Sequence, residues 1–146
     1  MNIRPCQSGN DKAGTLTIFD RTFPAAHNFL EAREHTEARL HLEEFLKHTA
    51  TLMAVGEQGV LGFITVDDEG YIPALYVDSS RLRRGVGSAL LNAAQDLHKR
   101  LSLHVFAENV PAVRFYQTQG FAVVHEDIQI DASGRRHVRF EMERRS

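Results

Sequence analysis

The chain predicts an α/β fold of the α+β kind, with a mixed, mostly antiparallel central sheet of about seven strands and about four helices. Three observations carry this. Alternating, β-branched runs at Thr51–Val55 and Leu61–Asp67 are joined by a short turn through Gly59, the signature of an antiparallel hairpin. A second hairpin is predicted where Phe121–Ile130 and His137–Glu143 alternate on either side of the turn sequence DASGRR. Between them, Tyr71 to Leu97 reads as strand, glycine loop and amphipathic helix, and Leu101–Glu108 follows as another strand. Strand, helix and strand at that spacing make a right-handed parallel crossover, which sets the glycine loop at the carboxyl end of the first strand.

In chain order, Asn2–Cys6 is a short first strand, kept to an edge or a bulge by Pro5. Asn10 or Asp11 caps a helix over about Lys12–Phe23, whose apolar side is Leu16, Ile18, Phe19 and Phe23; Pro24 ends it. A second helix runs from about Asn28 to His48, with Phe29, Leu30, Leu40, Phe45 and Leu46 inward and a polar stretch at Ala32–Arg39 where it can break. Glu69 and Gly70 turn the chain from the first hairpin into the strand Tyr71–Asp78. The next helix starts near Gly85 and repeats Val86, Leu90, Ala93, Ala94 and Leu97 in steps of three and four. In the strand Leu101–Glu108, residues Leu101, Leu103, Val105 and Ala107 share one face. Asn109 is an N-cap, Pro111 fits the first turn, and Ala112, Phe115, Tyr116 and Gln119 fall on one side of a short helix closed by Gly120. The order β-α-α-β-β-β-α-β-α-β-β contains no repeat, linker or low-complexity segment, so residues 1–146 read as one domain.

Composition narrows the function classes. Hydrophobic residues make up 42% and charged residues 25%, as in an ordinary soluble protein. No apolar run nears the roughly 20 residues that cross a bilayer, and Met1–Cys6 does not open a signal peptide. Cys6 is the only cysteine, which removes an intrachain disulfide and a thiolate zinc site and makes the cytoplasm the default location. A net charge of -2 argues against nucleic acid as a partner. The histidines do not fall at metal-ligand spacing: His35, His41 and His48 are six and seven apart, and no H-E-x-x-H occurs. No metal is expected. Glu31, Glu34, Glu37, Glu43 and Glu44 give the second helix an acidic side, either a solvated face or an attraction for a basic peptide or amine.

The glycine loop carries the first chemistry. Arg83, Arg84, Gly85, Val86, Gly87 and Ser88 would present backbone N–H groups at a helix start, where unpaired donors and partial positive charge suit a phosphate. Glycine at 85 and 87 removes Cβ atoms that would hold a ligand off those donors, and the two arginines add forked donors. A P-loop would need Lys and then Ser or Thr where Ser88 and Ala89 follow Gly87, a dinucleotide loop would need a small residue at Leu90, and a nucleophile elbow would need Ser between spaced glycines. The residues leave a pyrophosphate cradle or a bare glycine helix start.

The loop resembles the acetyl-CoA loop of the GNAT superfamily of N-acetyltransferases, (Q/R)-x-x-G-x-(G/A), departing from it in having Leu82 at the Q/R position. A second motif, N-x-x-A-x-x-F-Y-x-x-x-G-F, is matched by Asn109, Ala112, Phe115, Tyr116, Gly120 and Phe121. The segment GVLGFITVDD resembles the superfamily's central product strand, and the element order agrees throughout, so the resemblance covers nearly the whole chain. Within the superfamily the chain is similar to small bacterial lysine acetyltransferases.

The resemblance implies a GNAT fold with one splayed parallel pair of strands, and acetyl-CoA as co-substrate. It assigns the main chain of Leu75, Tyr76 and Val77 to the pantetheine arm and acetyl carbonyl, and Asn109, Ala112, Phe115 and Tyr116 to the cofactor side. It makes Tyr116 the acid for the departing thiolate; a phenol of pKa about 10 stays protonated at neutral pH and can donate. Asn109 would serve the pantetheine arm, a plain N-cap being its other explanation. His27, Phe29 and Tyr71 become acceptor-pocket residues. The base is open among Glu108, His27, His104 and Tyr71; Glu108 and His104, four apart, would share a strand face. The expected activity is direct acetyl transfer to a primary amine, a protein lysine or N-terminal amine first. A small-molecule amine, or an acyl-CoA-binding regulatory module without turnover, are the alternatives, and a homodimer is open.

Overall fold

The computed structural model of the chain describes residues 1–78 and 85–146. Among them, the elements in chain order are β1 (Asn2–Pro5), α1 (Gly9–Ala26), α2 (Ala32–His48), β2 (Ala50–Gly56), β3 (Gly59–Val66), β4 (Ala74–Val77), α3 (Val86–Gln95), β5 (Arg100–Phe106), α4 (Val110–Thr118), β6 (Ala122–Ile130) and β7 (Arg136–Arg145). No helix of the described residues is long and apolar enough to cross a membrane.

The strands form two antiparallel sheets, β1-β2-β3-β4 and β5-β7-β6, where the sequence led us to expect one. Among the described residues they are stitched at one parallel bridge. Tyr71 lies beside Ser102, the Ile72 N–H donates to the Ser102 carbonyl at 2.8 Å, and the Ser102 N–H donates to the Gly70 carbonyl at 3.0 Å. Pro73 follows and has no N–H to continue the ladder. Beyond it β4 pairs only with β3, Leu75 opposite Ile64 and Val77 opposite Gly62, so β4 and β5 part. The expected strand Tyr71–Asp78 is therefore a bridge, a proline break and a four-residue strand. The terminal hairpin forms as expected, with β7 seated between β5 and β6.

Period-2 alternation explains how the first sheet divides the core. Met53 and Phe63 face α1 and α2, joining Ile18, Phe19, Phe23, Leu42 and Leu46. Their neighbours Ala54 and Ile64 face the other way, toward Leu90, Leu91, Leu101, Leu103 and Met142. Each fully buried aliphatic or aromatic side chain contributes about 1.5–3 kcal/mol by leaving water.

Helix ends differ from the expected ones for local reasons. α1 starts earlier because Ser8, not Asn10 or Asp11, is the cap: its Oγ accepts the Asp11 N–H at 3.0 Å while Asp11 accepts the Ser8 N–H at 3.2 Å. Arg4 holds that same carboxylate with two bonds of 2.9 Å. Pro24 lies inside the last turn of α1 without ending it, and the chain closes at His27, whose N–H reaches the Phe23 carbonyl. In α2 the buried pair is Leu42 and Leu46; Leu40 is 56% exposed and Phe45 sits at the surface, so those two do not point inward. α3 stops at Gln95, leaving Leu97 in solvent, and its packed side is Val86, Gly87, Leu90, Leu91 and Ala94.

Candidate active site

The parting of β4 and β5 opens a cavity of about 1480 Å³ that continues from the start of α3 to the α1–α2 connection. Its middle is walled by Ala74–Val77 of β4 on one side and Leu103–Phe106 of β5 on the other. A single drug-sized ligand typically fills about 300–1,000 Å³, so this volume suits two substrates meeting between the strands.

At one end lies the start of α3. Gly85 is its N-cap in the left-handed region at φ +76°, a conformation that glycine adopts without the strain of a Cβ. The first bond of the helix runs from the Ala89 N–H to the Gly85 carbonyl, so Val86, Gly87 and Ser88 have no acceptor for their N–H groups within the helix. All four residues from Gly85 to Ser88 line the cavity, an arrangement that fits a diphosphate. Gly87 also serves packing: a Cβ there would stand 2.9 Å from Cζ of Phe115, so this glycine lets α3 approach α4. The Ser88 hydroxyl donates to Gln119 Oε1 at 2.8 Å. Arg83 and Arg84 lie outside the described residues. Arg114 and Thr118, four apart on α4, reach the cavity, and sequence reasoning missed them although their spacing puts them on one helix side.

In the middle, the edge of β4 away from β3 has no strand partner among the described residues, which leaves main-chain groups of Leu75, Tyr76 and Val77 facing the gap. The Tyr76 ring goes elsewhere, into the cluster with Phe19, Phe63 and Phe23, so only its main chain is available to a cofactor. Asn109 precedes α4 and is buried, yet its side chain makes no capping bond, contrary to a plain N-cap role, and it lines the cavity. Ala112 and Phe115 line it one turn later. Tyr116 is wedged between Phe115 and Phe121, at 5.4 and 5.5 Å between ring centres. Its hydroxyl has no hydrogen-bond partner among the described residues, and burial pushes the phenol above its ordinary pKa, so the proton stays on at neutral pH.

The other end is built from α1, α2 and the second sheet. His27 is buried, stacks on Phe23 at 4.1 Å and meets Phe106 at 6.2 Å. Burial pulls its pKa down to about 4, so the ring is neutral. Phe29 stands behind the wall, against His27, Phe106 and His137. Tyr71 is also off the wall: its hydroxyl lies 2.7 Å from Nδ1 of His104, and it is His104 that lines the cavity. Burial, then the charge of Arg139, lowers the pKa of His104, while Glu141 Oε1 lies 3.6 Å from its Nε2.

Glu108 is drawn away from this group. β5 ends at Phe106, so Glu108 does not continue the face of His104 as expected; its Oε1 lies 2.5 Å from Nδ1 of His137. The other ring nitrogen of His137 is 2.7 Å from Asp131, whose side chain is 2% exposed. Two carboxylates on one imidazole require both nitrogens to donate, so His137 is an imidazolium with its pKa raised by Asp131 and then Glu108. The bond from His137 in turn holds the Asp131 carboxyl far below the usual range. The β6–β7 turn carrying Asp131 is tied across to the helices: the Ala132 N–H donates to Glu34 and Arg135 donates to the Phe29 carbonyl at 2.6 Å. Among the described residues, no group of three or more His, Cys, Asp or Glu side chains is placed to hold a metal ion.

The profile of the acetyltransferase (GNAT) family matches residues 13–121. Peptidyl-lysine N-acetyltransferase YiaC of Escherichia coli (strain K12) is 40% identical over 65 residues, a match that spans 44% of each chain. Peptidyl-lysine N-acetyltransferase YjaB of the same organism is 31% identical over 109 residues, 74% of each chain. The solution structure of apo YjaB from Escherichia coli superposes with a TM-score of 0.81 at 26% identity, covering 97% of this chain and 95% of that one.

Proposed function

This chain belongs to the acetyltransferase (GNAT) family, an N-acetyltransferase family whose acetyl donor is acetyl-CoA, and from that premise we propose that its acceptor is a protein lysine or N-terminal amine, acetylated by direct transfer. The observation that carries this reading is the single cavity running between β4 and β5, with bare helix N–H groups at one end and neutral imidazoles at the other. The names of YiaC and YjaB as peptidyl-lysine acetyltransferases support the choice of acceptor. The whole of residues 1–146 is read as one catalytic domain.

Acetyl-CoA supplies a thioester whose carbonyl carbon accepts the amine and whose sulfur leaves as a thiolate. Gly85 to Ser88, with Arg114 beside them, would hold its diphosphate, and Asn109 its amide-bearing arm. The open edge of β4 offers N–H groups to the carbonyl oxygen as negative charge develops there. His104 takes the proton of the attacking amine on Nε2. In the tautomer that does so, its Nδ1–H donates to the Tyr71 oxygen, and Glu141 stabilises the imidazolium formed. Tyr116 gives its proton to the departing sulfur. One C–N bond forms and one C–S bond breaks. The free amine gives one proton to His104, and Tyr116 gives one to sulfur. The imidazolium and phenolate left behind are reset by proton exchange with solvent, which also takes the proton an ammonium sheds before it attacks.

Titration calorimetry with acetyl-CoA and CoA, followed by thiol release over lysine peptides, N-terminal peptides and small amines, tests the reading. Binding with release on lysine peptides supports it. Release confined to small amines would overturn the acceptor, and binding without release would overturn catalysis.

A further inference from the structure

His27 is held more firmly than a side chain on a connecting turn requires. Its own N–H donates to the Phe23 carbonyl at 2.9 Å, and its carbonyl accepts both the Leu30 N–H at 3.0 Å and Nε2 of His35 at 2.9 Å. The ring is fixed too. Nδ1 lies 3.2 Å from the Phe23 carbonyl oxygen, which can only accept, so Nδ1 carries the proton and Nε2 carries the lone pair. That lone pair has no partner among the described residues, although the residue is only 8% exposed and lines the cavity. The fully buried unpaired side-chain atom of the described residues is Glu34 Oε2, so Nε2 of His27 opens onto the cavity, where a donor can reach it.

The location says what should donate. Phe23 stacks on His27 and also contacts Tyr76 of β4, while Phe106, at the end of β5, meets the imidazole edge. His27 and Phe23 together therefore reach the carboxyl ends of the two parting strands, where the acceptor must approach the acetyl group. The pKa near 4 means that the ring stays uncharged over the working range and does not repel an ammonium.

Resting on the proposed acetyl transfer to an amine, we propose that Nε2 of His27 accepts a hydrogen bond from the acceptor nitrogen, making His27 the residue that selects and aims an N–H-bearing acceptor while His104 removes its proton. Nε2 is a fixed acceptor and takes up no proton during turnover.

Two measurements test this. In kinetics with a lysine peptide, His27→Phe keeps a ring on Phe23 and removes the acceptor, whereas His27→Gln keeps an acceptor. The expected result is a rise of about tenfold or more in KM for the peptide with His27→Phe, a smaller rise with His27→Gln, and unchanged acetyl-CoA affinity and pH profile in both. An unchanged peptide KM in His27→Phe, or a lost limb of the pH profile, would overturn the proposal. The second measurement needs no turnover: the imidazole 15N signals of His27 are followed as n-butylamine is added to the protein with CoA. A shift of the Nε2 signal, with Nδ1 unmoved, is expected; an unmoved Nε2 overturns the proposal even if the unaltered protein transfers no acetyl group to any amine.

Discussion

The Tyr71 hydroxyl sits 2.7 Å from Nδ1 of His104, across the Tyr71–Ser102 bridge between the two sheets. The pair is 33 residues apart in the chain, and under the proposed mechanism Tyr71 supports His104 as the base. Because burial holds His104 below its ordinary pKa, its lone pair is present at neutral pH and is lost only as pH falls through that lowered value. The acidic limb of kcat/KM should therefore lie below about pH 6.5. Tyr71→Phe should lower kcat about tenfold and move that limb, with acetyl-CoA affinity unchanged. A limb above pH 6.5, or one that Tyr71→Phe leaves in place, would remove His104 from the role.

Tyr116→Phe removes a proton donor and little packing, since the ring is retained between Phe115 and Phe121. Turnover should fall roughly ten- to a thousandfold with acetyl-CoA affinity nearly constant. Steady-state kinetics beside calorimetry checks this, and an unaltered kcat would exclude the phenol as the acid.

Gly87→Val tests the contact between α3 and α4. The added Cβ meets Phe115 at 2.9 Å, so the Phe115 ring or the helices must shift at a cost of about 1–3 kcal/mol, and the shift should also weaken acetyl-CoA binding. Adding Phe115→Leu should recover part of the lost Tm. If the second change restores nothing, the clash is not the cause.

His137 makes stability depend on pH in a stated direction. Its folded pKa is raised, so its contribution is complete below about pH 6.5 and fades as pH rises through the raised value. The Asp131 carboxyl is held low, so its share is present above about pH 3.9 and is lost as pH falls toward the lowered value. His137→Gln should lower Tm by on the order of 5 °C at pH 5–6, and the gap to wild type should narrow in alkaline buffer. A gap independent of pH would contradict the ion-pair account.

Direct transfer predicts no acetylated protein on the reaction path. Cys6, the sole cysteine, packs with the α1–α2 core, and burial raises its pKa, keeping it a poorly nucleophilic thiol. Quenched-flow mass spectrometry should find no acetyl-Cys6 forming at the rate of turnover, and Cys6→Ser should keep the wild-type kcat.

The fold was legible because its signals are local: alternation gave the hairpins, and Asn109, Phe115 and Tyr116 marked α4 beside the cavity. What the sequence hid depends on distance. Leu40 and Leu97 are apolar at helical spacing yet exposed, because which side of a helix is inward depends on the sheet it lands on. The parting of the strands at Pro73 could be read as a weak β position, but its outcome depends on where Ser102 arrives. Tyr71 and His104, or Glu108, His137 and Asp131, are ordinary polar residues until tertiary structure brings them together. The end of the cavity at His27 and His104 was for that reason the least legible part.

β7 follows every other element in the chain, yet it lies in the middle of its sheet. Until it is made, β5 and β6 share no neighbour, and the wall contributed by His137 and Arg139 does not exist. During synthesis α3 and α4 leave the ribosome well before β7, so a chain stalled ahead of Arg136 has the start of α3 and the edge of β4 but lacks the strand that joins β5 to β6. A chain ended at Arg135 is therefore expected to be inactive; one that still acetylated peptides would refute this.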